Sequence, residues 1–191
     1  MNWIIPGTTL EANRSDADRI EDFFQPMLLA GGLTLSQVAT VTGLEPYAIQ
    51  NWVKRGFLSP PQGRRYNLEQ LCRIITINML RGALTLEQIC SLLGYINGDL
   101  TDDSDDIIDD AVLYFMFVKL AARARHIGGD ESWDVALDAA TADYVEPYPG
   151  AKERIIQVLR VMLTAWISSR LQEQVSDMVN KLNEYTIYNK E

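Results

Sequence analysis

The sequence predicts an all-α protein with one short wing, and three observations carry that expectation. One layout occurs three times, in Leu33-Thr34-Leu35-Ser36-Gln37-Val38, Tyr66-Asn67-Leu68-Glu69-Gln70-Leu71 and Leu84-Thr85-Leu86-Glu87-Gln88-Ile89. Each copy has an apolar residue, a Thr or Asn, a glutamine three positions later and another apolar residue, which is a capping box with its hydrophobic staple. Residues 35–54, LSQVATVTGLEPYAIQNWVK, read as two helices meeting at a corner. Residues 150–186 read as one long helix, because Ile155, Leu159, Leu163, Ile167, Leu171, Val175, Met178, Leu182 and Tyr185 step by fours and then by fours and threes. At 191 residues the chain suits one compact domain or a small reader domain with a second helical one.

In chain order, residues 1–14 are expected to be irregular, with a turn at Pro6-Gly7. Ser15 to Ala30 reads as a helix capped by Ser15, with Asp16 and Asp18 at its positive end. Ile20, Phe23, Phe24, Met27 and Leu28 would form its apolar stripe, and Pro26 would kink it or stop it early. Residues 1–32 are therefore assigned as an N-terminal helical arm.

The capping boxes place helix starts at about 34, 67 and 85. In the first helix Val38 and Ala39 would face a partner helix, and Gly43 would leave it through a left-handed conformation. Pro46 suits the first turn of the next helix, where its missing N–H is no loss. Leu44, Ile49, Trp52 and Val53 would form the inner face of the corner. Tyr47, Gln50, Asn51 and Lys54 then fall at i, i+3, i+4 and i+7 on the outer face. This is a helix-turn-helix whose second helix, 46–55, carries groups able to bond base edges and phosphates. After it, Gly56 suits the C-cap, two prolines forbid helix, and Gly63-Arg64-Arg65 allow a tight turn bearing two cations. That loop reads as a short wing; the competing reading is an ordinary solvated loop.

The formal net charge is −9, unevenly spread. Residues 33–98 hold six cations against three acids, and Lys54, Arg55, Arg64 and Arg65 flank the end of the second helix. Residues 99–150 hold three cations against thirteen acids. Screening confines each exposed charge to roughly 8 Å, so a local basic face serves phosphate contact even on an acidic protein.

These stretches resemble a known group. Residues 33–93 are similar to the DNA-binding half of the MerR family of bacterial regulators. GLEPYAIQNWVKRGFL matches that family's turn and recognition helix, and Arg64-Arg65-Tyr66-Asn67-Leu68-Glu69-Gln70-Leu71 matches its wing and following helix start. The whole chain also resembles a bacterial family called domain of unknown function eighteen thirty-six, most tellingly in LTLSQVATVTGLEPYAIQNWVKRGF and YINGDLTDDSDDIIDD. The resemblance implies a winged helix-turn-helix over 33–98 that docks on double-stranded DNA. Tyr47, Gln50, Asn51, Lys54, Arg55, Arg64 and Arg65 would be its contacts. Gln50 and Trp52 stand where MerR-type helices usually carry arginine and tyrosine, and the cysteines of metal-responsive members are missing, so metal sensing is not carried over.

Residues 99–191 are assigned as a helical dimerisation or regulatory domain. In Asn97 to Asp110 the calcium-loop slots hold Thr101, Ser104 and Asp110, a poor match. The alternative is a helix capped by Thr101 or Ser104, with acids in its first turns, running to Arg123, Arg125 and His126. His126, the single histidine, reads as a solvated helix end. Trp133, Tyr144, Tyr148 and Trp166 would serve either as core or as a pocket lining. Past Leu171 the heptad-like spacing suits a homodimer, which would set two recognition helices about 34 Å apart. The sequence leaves open a small-molecule or protein effector in this half.

Cys72 and Cys90 read as buried small hydrophobes in a reduced compartment. The N-terminus lacks a secretory pattern, and the longest apolar run, Val158 to Ile167, is interrupted by Arg160, so a cytoplasmic protein without membrane contact is expected. No metal cluster, phosphate-binding glycine loop or nucleophile–histidine arrangement appears, so neither cofactor nor catalysis is expected. The expected function is a sequence-specific DNA-binding transcriptional regulator. The alternative is an interaction module on a winged-helix fold that no longer binds DNA.

Overall fold

A computed structural model describes residues 2–98, 100, 106–124 and 133–188. The protein is mostly helical with one two-stranded sheet. The strands β1 (Asn2–Ile4) and β2 (Glu11–Asn13) pair antiparallel, with Trp3 opposite Ala12. The helices are α1 (Ile20–Phe24), α2 (Leu35–Thr42), α3 (Pro46–Lys54), α4 (Leu68–Leu80), α5 (Leu86–Asn97), α6 (Asp110–Arg123), α7 (Trp133–Ala140) and α8 (Ala151–Tyr188). Among the described residues no helix is long and apolar enough to cross a membrane.

The N-terminal arm differs from expectation. Residues 2–13 form a ribbon, because Gly7 takes a left-handed φ of 75° and the chain doubles back. Ser15 does not cap a helix; Asn13 accepts from the Ser15 N–H and opens a 3₁₀ turn over Arg14–Arg19. Pro26 stops α1 at Phe24, and Gln25–Leu28 is a second 3₁₀ turn. The arm is bound closely to the helices. A Cβ on Gly7 would lie 2.5 Å from the Ile75 carbonyl of α4. Asn78 of α4 donates to both the Gly7 and Thr42 carbonyls at 2.9 and 2.8 Å. The Tyr114 hydroxyl of α6 donates to the Pro6 carbonyl at 2.8 Å.

All three capping boxes form as the sequence indicated, each with both reciprocal bonds. The start of α6 does not. Its N-cap is Asp109, whose carboxylate accepts from the Ala111 and Val112 N–H groups. Thr101 and Ser104 lie outside the described residues, but Ile107 and Ile108 are buried in irregular chain, with the Ile107 N–H donating to the Ile96 carbonyl. That burial delays the helix. His126 and Arg125 also fall outside the described residues.

One apolar core runs through the molecule. α4 is its axis: Leu71, Cys72, Ile74, Ile75, Ile77 and Leu80 are fully buried, so this helix is apolar nearly all round. It packs chiefly on α6, and α8 covers α4, α5, α6 and α7 with Ile155, Leu159, Met162 and Leu163. Trp166 is half-buried and meets Phe117 edge to face at 6.0 Å, Trp133 and Tyr144 pack partly against the core, and Tyr148 is exposed. Within the core sits one ion pair, Arg73 to Asp110 at 3.0 Å, joining α4 to the first turn of α6. Burial pushes the Asp110 carboxyl up, against the pull of the Arg73 guanidinium.

Candidate nucleic-acid interface

The corner between α2 and α3 is built by short-range chemistry. Thr34 accepts from the Gln37 N–H, and Gln37 accepts in return from the Thr34 N–H at 2.9 Å. α2 ends at Gly43, whose φ of 69° is left-handed, with its N–H on the Ala39 carbonyl at 2.8 Å. The Thr42 hydroxyl donates back to the Val38 carbonyl and accepts from the Leu44 N–H, which fixes the turn. Pro46 occupies the first turn of α3. Val38 and Ile49 are fully buried and Val41, Leu44 and Trp52 nearly so, which sets the angle between the helices.

With that face committed, the other is open to solvent. Tyr47 is 71% exposed, and Gln50, Asn51 and Lys54 are exposed beside it. The four side chains occupy one stripe about 10 Å long, at 1.5 Å per residue. The helix closes in a Schellman motif: the Phe57 N–H reaches the Trp52 carbonyl at 2.9 Å and the Gly56 N–H reaches Val53 at 3.1 Å.

The cations of this region divide into two kinds. Lys54 and Arg64 are exposed and hold no ion pair among the described residues. Arg55 is exposed but paired with Glu87 of α5 at 2.8 Å, and its guanidinium lies 4.5 Å from the centre of the Phe57 ring. Hydrogen bonding to its own backbone N–H, aided by Arg55, holds the Glu87 carboxyl below its ordinary value. Arg65 is half-buried and donates from one terminal nitrogen to the Gly32 carbonyl at 2.7 Å.

The loop after α3 returns through a tight turn in which Gln62 accepts from the Arg65 N–H at 2.9 Å. Gly63 and Arg64 have φ of 54° and 63°, as a type I′ turn demands. Arg64 is the one non-glycine residue with positive φ among the described residues. Leu33 and Tyr66 exchange both backbone bonds at 2.8 and 2.9 Å, which brings the segment before α2 beside the segment before α4. These pairings are isolated bridges rather than a continuous ribbon. The loop base is gripped by Gln70, which completes its capping box and also donates to the Ser59 and Pro60 carbonyls. Arg73 donates to the Phe57 carbonyl. Neither grip was apparent in the sequence, although a charged Arg73 inside the apolar run of α4 was its visible sign.

Residues 31–117 match the model of a family described as Domain of unknown function (DUF1836). The match runs from just before the Leu33–Tyr66 bridge into α6, so it takes in the corner, the loop and the Arg73–Asp110 pair. A Bacillus subtilis (strain 168) protein described as "Uncharacterized protein YkrK" is 31% identical over 143 residues, which are 73% of this chain and 53% of that protein. The chain therefore spans about half the length of that relative. No solved structure matches the chain. Neither description names a role.

Proposed function

We propose that the protein is a sequence-specific DNA-binding regulator of transcription, a binder without catalysis of its own, that lays α3 in the major groove. The observation that carries this reading is the two-sided division of α3. Ile49 and Trp52 are seated in the core, while Tyr47, Gln50, Asn51 and Lys54 stand clear as one stripe. Gln50 and Asn51 suit bidentate bonding to adenine, and Tyr47 suits a base edge or methyl group. Lys54 and Arg64 suit phosphates on either side, with Arg55 and Arg65 as supporting cations that also brace the fold. The resemblance to the MerR reader adds the docking geometry.

The test is selection of bound duplexes from a random pool at fixed salt, followed by two variants. Gln50→Ala is expected to relax preference at one base position, losing about 1–3 kcal/mol of discrimination. Arg64→Ala is expected to weaken all duplexes alike and to reduce the salt slope by about one. Should both variants match the parent on every duplex, the assignment of these residues fails.

A second reading is a protein-interaction module. It is favoured by the engagement of Arg55, Arg65 and Arg73 within the fold, which thins the basic face, and by the exposure of Tyr47. A salt-independent complex with a protein, and no enrichment of any duplex, would select it.

A further inference from the structure

A cleft of about 740 Å³ opens between the back of the helix-turn-helix and α8, a size suited to a small organic ligand. Ala48 and Trp52 line it from the inner side of α3, and Trp166, Ser169 and Arg170 line it from α8. The outward stripe of α3 takes no part, so DNA contact leaves this surface unused.

Its polar groups are arranged for an acceptor. The Ser169 hydroxyl is buried with no hydrogen-bond partner. It is confined there because the α4–α5 corner comes so close that a Cβ on Gly82 would lie 2.6 Å from it. The chain neighbours of Gly82 and Ser169, Arg81 and Arg170, therefore line the cleft from its two walls beside that contact. Arg170 lies 5.3 Å from the centre of the Trp166 ring, itself held edge-on by Phe117. Arg81 is oriented by its Nε–H bond to Asn78 at 3.0 Å, and Asn78 is locked onto two carbonyls. Glu173 is the single acid on the lining, against these two guanidiniums. Ile4, 56% exposed, and Leu86 add apolar surface to the lining.

The geometry points to a binding site for a small organic anion: a carboxylate seated between Arg81 and Arg170, with a short apolar body against Ile4 and Leu86. Because the cleft touches both α3 and α8, occupancy would bear on how the two recognition helices of a dimer are set. That last step rests on the regulatory reading; the site itself does not.

Trp52 and Trp166, two of the four tryptophans, line the cleft, so a ligand there perturbs the emission. The protein is titrated with benzoate and hexanoate, and with uncharged benzamide, following tryptophan emission and confirming by calorimetry. A saturable response to at least one carboxylate is expected, with benzamide about tenfold weaker, the value of one charge-assisted bond. Arg170→Gln and Arg81→Gln, both at exposed side chains, are each expected to weaken the carboxylate about tenfold without loss of helicity. The proposal is overturned if neither carboxylate saturates, if benzamide binds as well, if inorganic phosphate gives the same response, or if the arginine variants bind like the parent. Carboxylate binding by a protein that enriches no duplex would leave the cleft standing and remove only the DNA reading.

Discussion

At the scale of single residues, the pair Arg73–Asp110 shows how a charge can be structural in a region chosen for its charge. Both side chains are nearly out of solvent, at 9% and 15% exposure, and they tie α4 to the first turn of α6. Removing one partner strands the other, so Arg73→Met is expected to cost about 3–5 kcal/mol at neutral pH. The pH dependence follows from Asp110. Its carboxyl is already pushed above its ordinary 3.8 by burial, with Arg73 opposing. A raised value in the folded state means that the folded chain keeps the proton longer than the unfolded one. Its contribution to stability is therefore full below the unfolded value and is lost as pH climbs through the folded one. Without Arg73 the folded value rises further, so the variant is expected to lose least in acid. Urea denaturation of parent and variant at about pH 4.5 and about pH 7.5 checks this, and an equal loss at both would refute it.

At the scale of elements, the turns bear unequal constraints, and glycine substitutions separate them. Gly32 has a φ of 107°, and a Cβ there would lie 2.5 Å from the Tyr66 carbonyl, inside the bridge that joins the segments before α2 and α4. Gly56 has a φ of 77° with open space around it. Gly32→Ala is expected to cost about 2–4 kcal/mol, strain and backbone collision together, whereas Gly56→Ala should cost about 1 kcal/mol. Similar losses in denaturant midpoint would mean that the bridge gives way more easily than its geometry implies. The contrast also marks what the sequence could convey. The capping boxes at Thr34, Asn67 and Thr85 were legible because all their partners lie within four residues. So was the inward and outward division of α3, which helical spacing alone dictates. The start of α6 was not. NGDLTDDSDDIIDD offers several capable caps, and the choice of Asp109 is made by the burial of Ile107 and Ile108 against distant parts of the chain. The engagements of Arg55 with Glu87 and Arg65 with Gly32 were hidden for the same reason, since each partner lies about thirty residues away.

At the scale of the whole molecule, the two ends of α8 behave differently. Up to Ala165 the helix is anchored in the core, but Leu171, Val175, Met178, Val179 and Leu182 are all exposed, Met178 at 66%. Leu171, Val175, Met178 and Leu182 are spaced by four, three and four, the seam of a two-stranded coil. A lone helix is marginal in water, and Leu171, Val175 and Met178 are 56%, 59% and 66% exposed on this one. We therefore propose that two copies pair along it, which would set the pair of α3 stripes as a unit for two half-sites. Leu171→Glu with Met178→Glu places charges in that seam without touching the core. Sedimentation equilibrium is expected to show a dimer for the parent and a monomer for the double variant, with some loss of helicity confined to the end of α8. On the proposed regulatory reading, DNA binding should then fall to that of one half-site. A parent that sediments as a monomer at every concentration would refute the pairing, and the stripe would then need a different partner.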